Sequence, residues 1–137
     1  PRGGRSRGDA TTAAERGVAL GPRALMERVV SGVRVRGVDV DAATRCAHYA
    51  STRDVVAIRA ACCDVYYPCR ACHDALCDHD HRVVPRGEFD DPAVLCGACG
   101  ATLTAREYAD CDDACPACGH AFNPGCTRHW NRYFASR

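Results

Sequence analysis

Cysteine is the residue type that most limits what this chain can fold into. The sequence contains 12 Cys among its 137 residues, and most of them stand in close pairs with histidines nearby. Cysteine at this density either forms disulfides in a secreted protein or binds metal in a reducing compartment. Disulfide frameworks have no need of histidine, whereas zinc sites combine Cys and His at such short spacings. The pattern therefore predicts zinc sites.

The C-terminal half carries the clearest zinc signal. It contains Cys96-Gly-Ala-Cys99 and Cys115-Pro-Ala-Cys118, and 15 residues separate the two pairs. This spacing is typical of zinc ribbons, in which two tight turns each direct two thiolates at one metal ion. We therefore predict one Cys₄ site made of Cys96, Cys99, Cys115 and Cys118.

Eight further ligand candidates precede the ribbon and divide into two groups of four. The first group comprises Cys46, His48, Cys69 and Cys72. The second group comprises Cys62, Cys63, His73 and His79. Adjacent residues on an extended strand face opposite ways, so Cys62 and Cys63 can share one metal only if the chain bends between them. The exact division of the twelve ligands among about three Zn²⁺ ions therefore stays open at this stage.

Three tetrahedral sites leave six other Cys and His residues over, which are Cys77, His81, Cys111, His120, Cys126 and His129. Cys126 and His129 have ligand-like spacing, but two side chains do not complete a site, so we expect them to pack beside the ribbon. Whether they bind metal stays open. We expect His81 and His120 to lie at the surface and Cys77 to fill one face of a helix.

Several consecutive motifs resemble one known family. They are Arg45-Cys-Ala-His-Tyr49, Asp54-Val-Val-Ala-Ile58, Tyr67-Pro-Cys69, Cys115-Pro-Ala-Cys-Gly119 and Phe122-Asn-Pro-Gly-Cys126. Over about residues 37–134 the sequence is similar to the CHY-type zinc finger family, in particular to the stand-alone members found in prokaryotes and in the yeast mitochondrial intermembrane space. The resemblance implies three zinc ions per domain. Other members carry a RING domain after the CHY domain, and no such ligand set follows here, so we expect no ubiquitin-ligase activity.

The expected fold is a small zinc-stabilised domain over residues 32–137, irregular, with short β-hairpins, short helices and a C-terminal part resembling a zinc ribbon. Residues 1–31 are expected to be an N-terminal extension, largely disordered or with a short helix over 23–30. Alternating apolar residues predict a strand at 33–40, and the apolar run within 54–58 predicts a second, buried strand. Thr104 and Glu107 form a capping box, which predicts that a short helix begins there.

Three functional classes fit the sequence poorly. Zinc deaminases need a Glu two residues after a metal ligand, and the residue two positions after Cys46 is His48. Thiol oxidoreductases need a βαβ pattern around one Cys-x-x-Cys pair, which is missing. Nucleic-acid-binding domains are strongly basic, whereas the formal net charge here is only +1.

We therefore expect a non-enzymatic zinc-binding module that makes protein–protein contacts or handles zinc and Cys-rich partners. A redox-linked thiol protein that releases zinc is the alternative, and a nucleic-acid-binding ribbon is a lesser one. The partner is expected to be a protein rather than a membrane, since no apolar run is long enough to span one. The expected location is the cytoplasm, or the mitochondrial intermembrane space if the organism is a eukaryote. The sequence does not specify the partner, the pathway or the oligomeric state.

Overall fold

A computed structural model describes residues 25–136 of the chain. Its centre is one six-stranded sheet with the strand order β1-β2-β4-β3-β5-β6. The strands are β1 (Leu25–Val30), β2 (Val33–Val38), β3 (Val56–Ala60), β4 (Val65–Tyr67), β5 (Pro92–Cys96) and β6 (Thr102–Thr104). Neighbouring strands run antiparallel except β2 and β4, which pair in parallel.

The helices are short and lie between or after the strands. They are α1 (Arg70–Leu76), α2 (Ala105–Ala109) and α3 (Pro124–Arg128), with single 3₁₀ turns at Arg86–Glu88 and Trp130–Arg132. The start of α2 confirms the predicted capping box: Glu107 N–H donates to Thr104 Oγ1 at 3.0 Å, and Thr104 N–H donates to the Glu107 carboxylate at 2.8 Å. Between residues 25 and 136, no helix is long and apolar enough to cross a membrane.

The predicted fold class is confirmed, with one addition. The domain has short strands, few short helices and a C-terminal Cys₄ group. The strands predicted at 33–40 and 54–58 correspond to β2 and β3. The hairpins do not stand apart, however, because β2 and β4 join them edge to edge into a single sheet.

The helix predicted over 23–30 is wrong for its described part. Leu25–Val30 is strand β1, which pairs in register with Val33–Val38. Ser31 and Gly32 connect the two strands with φ values of 51° and 83°. Two consecutive residues with positive φ are characteristic of the tight turn that matches the twist of a β-hairpin. The remainder of the proposed extension, residues 1–24, lies outside the described residues, and the division at residue 31 stays a prediction.

An aromatic cluster fills the space between the sheet and the C-terminal segment. Phe89 contacts Trp130 edge-on at 5.8 Å between ring centroids, and Trp130 stacks on Phe134 at 4.2 Å. Phe134 also forms a β-bridge with Val84, and Tyr133 and Phe134 are both buried. This cluster fixes the C-terminal segment against the half of the sheet that carries the ribbon cysteines.

Candidate metal centres

Site 1 lies where the loop after β2 meets the start of α1. It consists of Cys46, His48, Cys69 and Cys72, whose ligand atoms all lie within 4.8 Å of one another. His48 Nδ1 is 3.4 to 3.7 Å from the three sulfurs, and the sulfurs of Cys46 and Cys69 are 3.7 Å apart. The three cysteines are buried. The backbone N–H of Val38 donates to Cys72 Sγ at 3.4 Å, which favours a thiolate there.

The thiols of site 1 strongly influence one another's pKa values. Hydrogen bonds from Cys69 and Cys72 lower the pKa of the Cys46 thiol far below its usual value. The hydrogen bond to Cys46 in turn raises the pKa of Cys69. A cation that binds here must displace the protons that these thiols carry.

Site 2 lies at the turn between β3 and β4. It consists of Cys62, Cys63, His73 and His79. The N–H groups of Cys63 and Asp64 both donate to Ala60 O, and Asp64 has a φ of 55°. The chain bends at this turn, so the sulfurs of Cys62 and Cys63 lie on the same side, 3.8 Å apart. The bend on which the sequence-based grouping depended is therefore present.

The imidazole of His73 is oriented by its neighbour. His73 is fully buried, and its Nε2 lies 3.3 Å from Cys62 Sγ and 3.4 Å from His79 Nε2. Its other nitrogen, Nδ1, lies 2.9 Å from the carboxylate of Asp74. A carboxylate that accepts from the outer nitrogen of a ligating histidine fixes its ring orientation and raises its basicity. Asp74 directly follows His73, but nothing in the residue spacing marks it as the partner of a ligand.

Site 3 is built from two matching turns. Gly100 N–H donates to Cys96 O at 2.7 Å, and Gly119 N–H donates to Cys115 O at 2.8 Å. Both glycines have positive φ, at 84° and 80°, which a residue with a side chain rarely adopts. Each Cys-x-x-Cys-Gly turn thus directs two sulfurs at one point. The four ligand candidates of site 3 are Cys96, Cys99, Cys115 and Cys118.

Burial differs between the two cysteines of each turn in site 3. Cys96 and Cys115 are buried, whereas Cys99 and Cys118 are exposed. Burial raises the pKa of the Cys96 thiol to about 12. A metal ion has to displace this proton, so the affinity of site 3 is expected to fall as the pH is lowered.

The distances in the three sites fit a zinc ion. Tetrahedral Zn²⁺ with Zn–S bonds of about 2.3 Å and Zn–N bonds of about 2.05 Å separates two sulfurs by about 3.8 Å and two nitrogens by about 3.3 Å. Four sulfur pairs, at least one in each site, lie 3.7 to 3.9 Å apart, and the two histidine nitrogens of site 2 lie 3.4 Å apart. A disulfide would require about 2.05 Å. The chain thus has three Cys/His clusters able to bind zinc, and about three Zn²⁺ ions per chain fit them. That each of the twelve residues is a ligand stays a prediction.

The remaining Cys and His residues lie outside these three groups. Cys126 and His129 line a cleft instead, and burial raises the pKa of Cys126 to about 11. Cys77 packs against Tyr67 at the end of α1. His120 is half-buried, and its Nδ1 lies 2.8 Å from Ala121 O.

The expectation that His81 lies free at the surface is wrong. Its ring meets the edge of the His73 ring at 4.9 Å, and its Nδ1 is buried. Burial lowers the pKa of His81 to about 4, so the imidazole is neutral at physiological pH. It belongs to the packing around site 2 because the segment after His79 folds back over α1.

Comparison with known proteins agrees with this geometry. A Schizosaccharomyces pombe protein of uncharacterized function is 43% identical over 104 residues, which cover 76% of this chain and 91% of that protein. Helper of Tim protein 13 of Saccharomyces cerevisiae is 40% identical over 108 residues, covering 73% of this chain and 89% of the relative. Helper of Tim protein 13 of Kluyveromyces lactis is 38% identical over 104 residues, covering 74% and 88%. Residues 46–124 match the CHY zinc finger family, and this range includes all the ligand candidates of sites 1 to 3. The chain therefore belongs to the CHY zinc finger family.

Proposed function

We propose that this chain is a non-catalytic module whose shape zinc maintains and whose surface binds another protein. One observation carries the proposal: each of the three metal groups offers four side-chain ligands to one point. A zinc ion with four protein ligands has no open position for water or substrate, so it stabilises a fold instead of performing chemistry. The names of two relatives, Helper of Tim protein 13, describe help to another protein and support a protein partner.

A cleft beside site 1 is the surface best suited to such a contact. It has a volume of about 90 Å³ and lies between residues 44–56 and the C-terminal residues 123–133. Tyr49, which is 47% exposed, and the arginines Arg53 and Arg132 contribute to its lining. Tyrosine and arginine are enriched among residues that dominate binding energy. Neither guanidinium has an ion-pair partner within residues 25–136, so we propose that the bound segment of the partner places an acidic side chain beside an apolar one.

Site-specific photo-crosslinking tests this proposal. A photoreactive phenylalanine analogue replaces Tyr49 in one variant and Ala75, an exposed residue of α1 outside the cleft, in a control variant. We expect a discrete protein adduct from position 49 in the cells that make the protein, none from position 75, and no adduct after zinc is removed. The same adducts from both positions, or none from position 49, would contradict the proposal.

Redox-linked zinc release is the second candidate. Two ligand candidates of site 3, Cys99 and Cys118, are exposed, so oxidants and competing zinc ligands have access to them. Four thiolates on one Zn²⁺ also leave a net charge of −2, which makes the sulfurs more nucleophilic. This candidate predicts that the first zinc ion lost under mild oxidation leaves site 3. Loss from site 1 or site 2 first would argue against it.

The location is likewise a proposal. Every one of the twelve cysteines is free of disulfide bonds, which suits a reducing compartment such as the cytoplasm. The mitochondrial intermembrane space is the alternative if the organism is a eukaryote. Immunodetection in purified cell fractions distinguishes the two.

A further inference from the structure

The hydroxyl of Tyr67 lies between a ligand candidate of site 2 and a cysteine outside all three sites. Tyr67 Oη is 3.3 Å from Cys63 Sγ and 3.3 Å from Cys77 Sγ. The side chain is almost fully buried, with 3% of its surface exposed. Its ring also meets the edge of the His73 ring at 5.1 Å. Tyr67 therefore touches two of the four residues of site 2 without being a zinc ligand itself.

The protonation states decide the direction of these hydrogen bonds. A cysteine bound to zinc is a thiolate, so Cys63 can only accept. A phenol titrates near pH 10 and keeps its proton at neutral pH, so Tyr67 donates its single O–H to Cys63. The oxygen of Tyr67 then has lone pairs free for the S–H of Cys77. The result is two successive hydrogen bonds, in which Cys77 donates to Tyr67 and Tyr67 donates to Cys63.

We propose that Tyr67 is a positioning residue for site 2, which holds the Cys63 sulfur in place and reduces its nucleophilicity, and that Cys77 supports it as a hydrogen-bond donor. A hydrogen bond to a thiolate withdraws electron density from the lone pairs that attack electrophiles. Tyr67 thus hydrogen-bonds to the ligand candidate Cys63, just as Asp74 hydrogen-bonds to the ligand candidate His73. Loss of such an outer partner typically lowers metal affinity by about 10-fold to 100-fold. The inference rests on zinc binding at site 2, as proposed above.

A pair of neighbouring tyrosines provides a matched test. Tyr67→Phe removes the hydroxyl but keeps the ring against His73. Tyr66→Phe removes the same group from the next residue of β4, which faces the opposite side of the sheet, where Tyr66 packs beside Val35 and Val40. The zinc-loaded full chain is treated with iodoacetamide, and the alkylation rate of each cysteine is measured by peptide mapping with tandem mass spectrometry. A chelator titration follows the release of the three zinc ions.

Tyr67→Phe is expected to raise the alkylation rate of Cys63 about tenfold and to release one zinc ion of three at about tenfold lower chelator concentration. Tyr66→Phe is expected to change neither quantity. A Cys63 rate within twofold of the wild-type value would overturn the inference. An equal rise at Cys96, in the distant site 3, would overturn it too, because the variant would then merely loosen the fold.

A second variant covers the case in which Tyr67→Phe fails to bind zinc. Cys77→Ala leaves Tyr67 intact and removes only the outer donor, so we expect a smaller rise of the Cys63 rate, about threefold, with three zinc ions still bound. An unchanged Cys63 rate in Cys77→Ala, or the loss of one zinc ion, would refute the role given to Cys77.

Native mass spectrometry of the wild-type chain separates this inference from its premise. Three zinc ions without an effect of the variants refute the role of Tyr67 alone, whereas an empty site 2 refutes the zinc site as well.

Discussion

Replacing Gly97 by Ala tests how closely site 3 is packed against the loop that leads into site 1. A Cβ atom on Gly97 would lie 2.1 Å from the carbonyl oxygen of Ala43 and 2.8 Å from Thr44 Oγ1. Carbon and oxygen atoms essentially never approach below 3.0 Å in this way, so the two backbones must separate by about 1 Å. That shift also strains the hydrogen bond from Gly97 N–H to Val55 O, which measures 2.6 Å.

The two effects give the size of the destabilisation. Overpacking of a well-packed interior costs about 1–3 kcal/mol, and a lost backbone hydrogen bond costs about 1 kcal/mol. Gly97→Ala should therefore lower the free energy of unfolding by about 3 kcal/mol. For a domain of this size such a loss lowers the midpoint of thermal unfolding by roughly 10 °C.

Circular dichroism during heating, at one fixed concentration of free zinc, measures this shift. Gly87→Ala is the matched control, because a Cβ at Gly87 meets nothing within 4 Å and the residue needs no positive φ. Its midpoint should stay within a few degrees of the wild-type value. A Gly97→Ala protein that binds three zinc ions and unfolds within 2 °C of the wild type would refute the reasoning.

Three further predictions concern the metal and a helix terminus. A strong chelator should abolish the far-UV circular dichroism of the folded chain, and added zinc should restore it, since structural zinc contributes about 10–16 kcal/mol; an unchanged spectrum without metal would contradict this. Native mass spectrometry should find three Zn²⁺ per chain, whereas four would make Cys126 and His129 ligands. Thr104→Ala should lower the free energy of unfolding by about 1 kcal/mol in denaturant titrations, because α2 loses its capping box; no change would show that the cap contributes nothing.

Local patterns could be read from the sequence with good results. A Cys-x-x-Cys-Gly turn depends on a few consecutive residues, so the four cysteines of site 3 could be grouped from spacing alone. The capping box at Thr104 and Glu107 is equally local. Strand β1 does not follow from its own residues, because Leu25, Met26, Val29 and Val30 also fit one face of a helix. The tight turn at Ser31 and Gly32 pairs this segment with β2 instead.

Features that depend on distant contacts could not be read in this way. The parallel pairing of β2 with β4 joins segments about thirty residues apart and has no signature in either segment. The packing of His81 on His73 depends on where the chain turns after α1. The contact of Tyr67 with Cys63 and Cys77 likewise needs a turn and a helix end to meet at one strand. These arrangements follow from tertiary structure, which residue spacing does not encode.

Each metal group is attached to an end of a strand in the same sheet. Cys62 and Cys63 follow β3, Cys69 follows β4, and Cys96 is the last residue of β5. Since β3 pairs with both β4 and β5, an ion that orders one strand end lowers the entropy cost of ordering the next. We therefore expect zinc binding to be cooperative. The folded fraction should therefore rise more steeply with the free zinc concentration than it would for three independent sites.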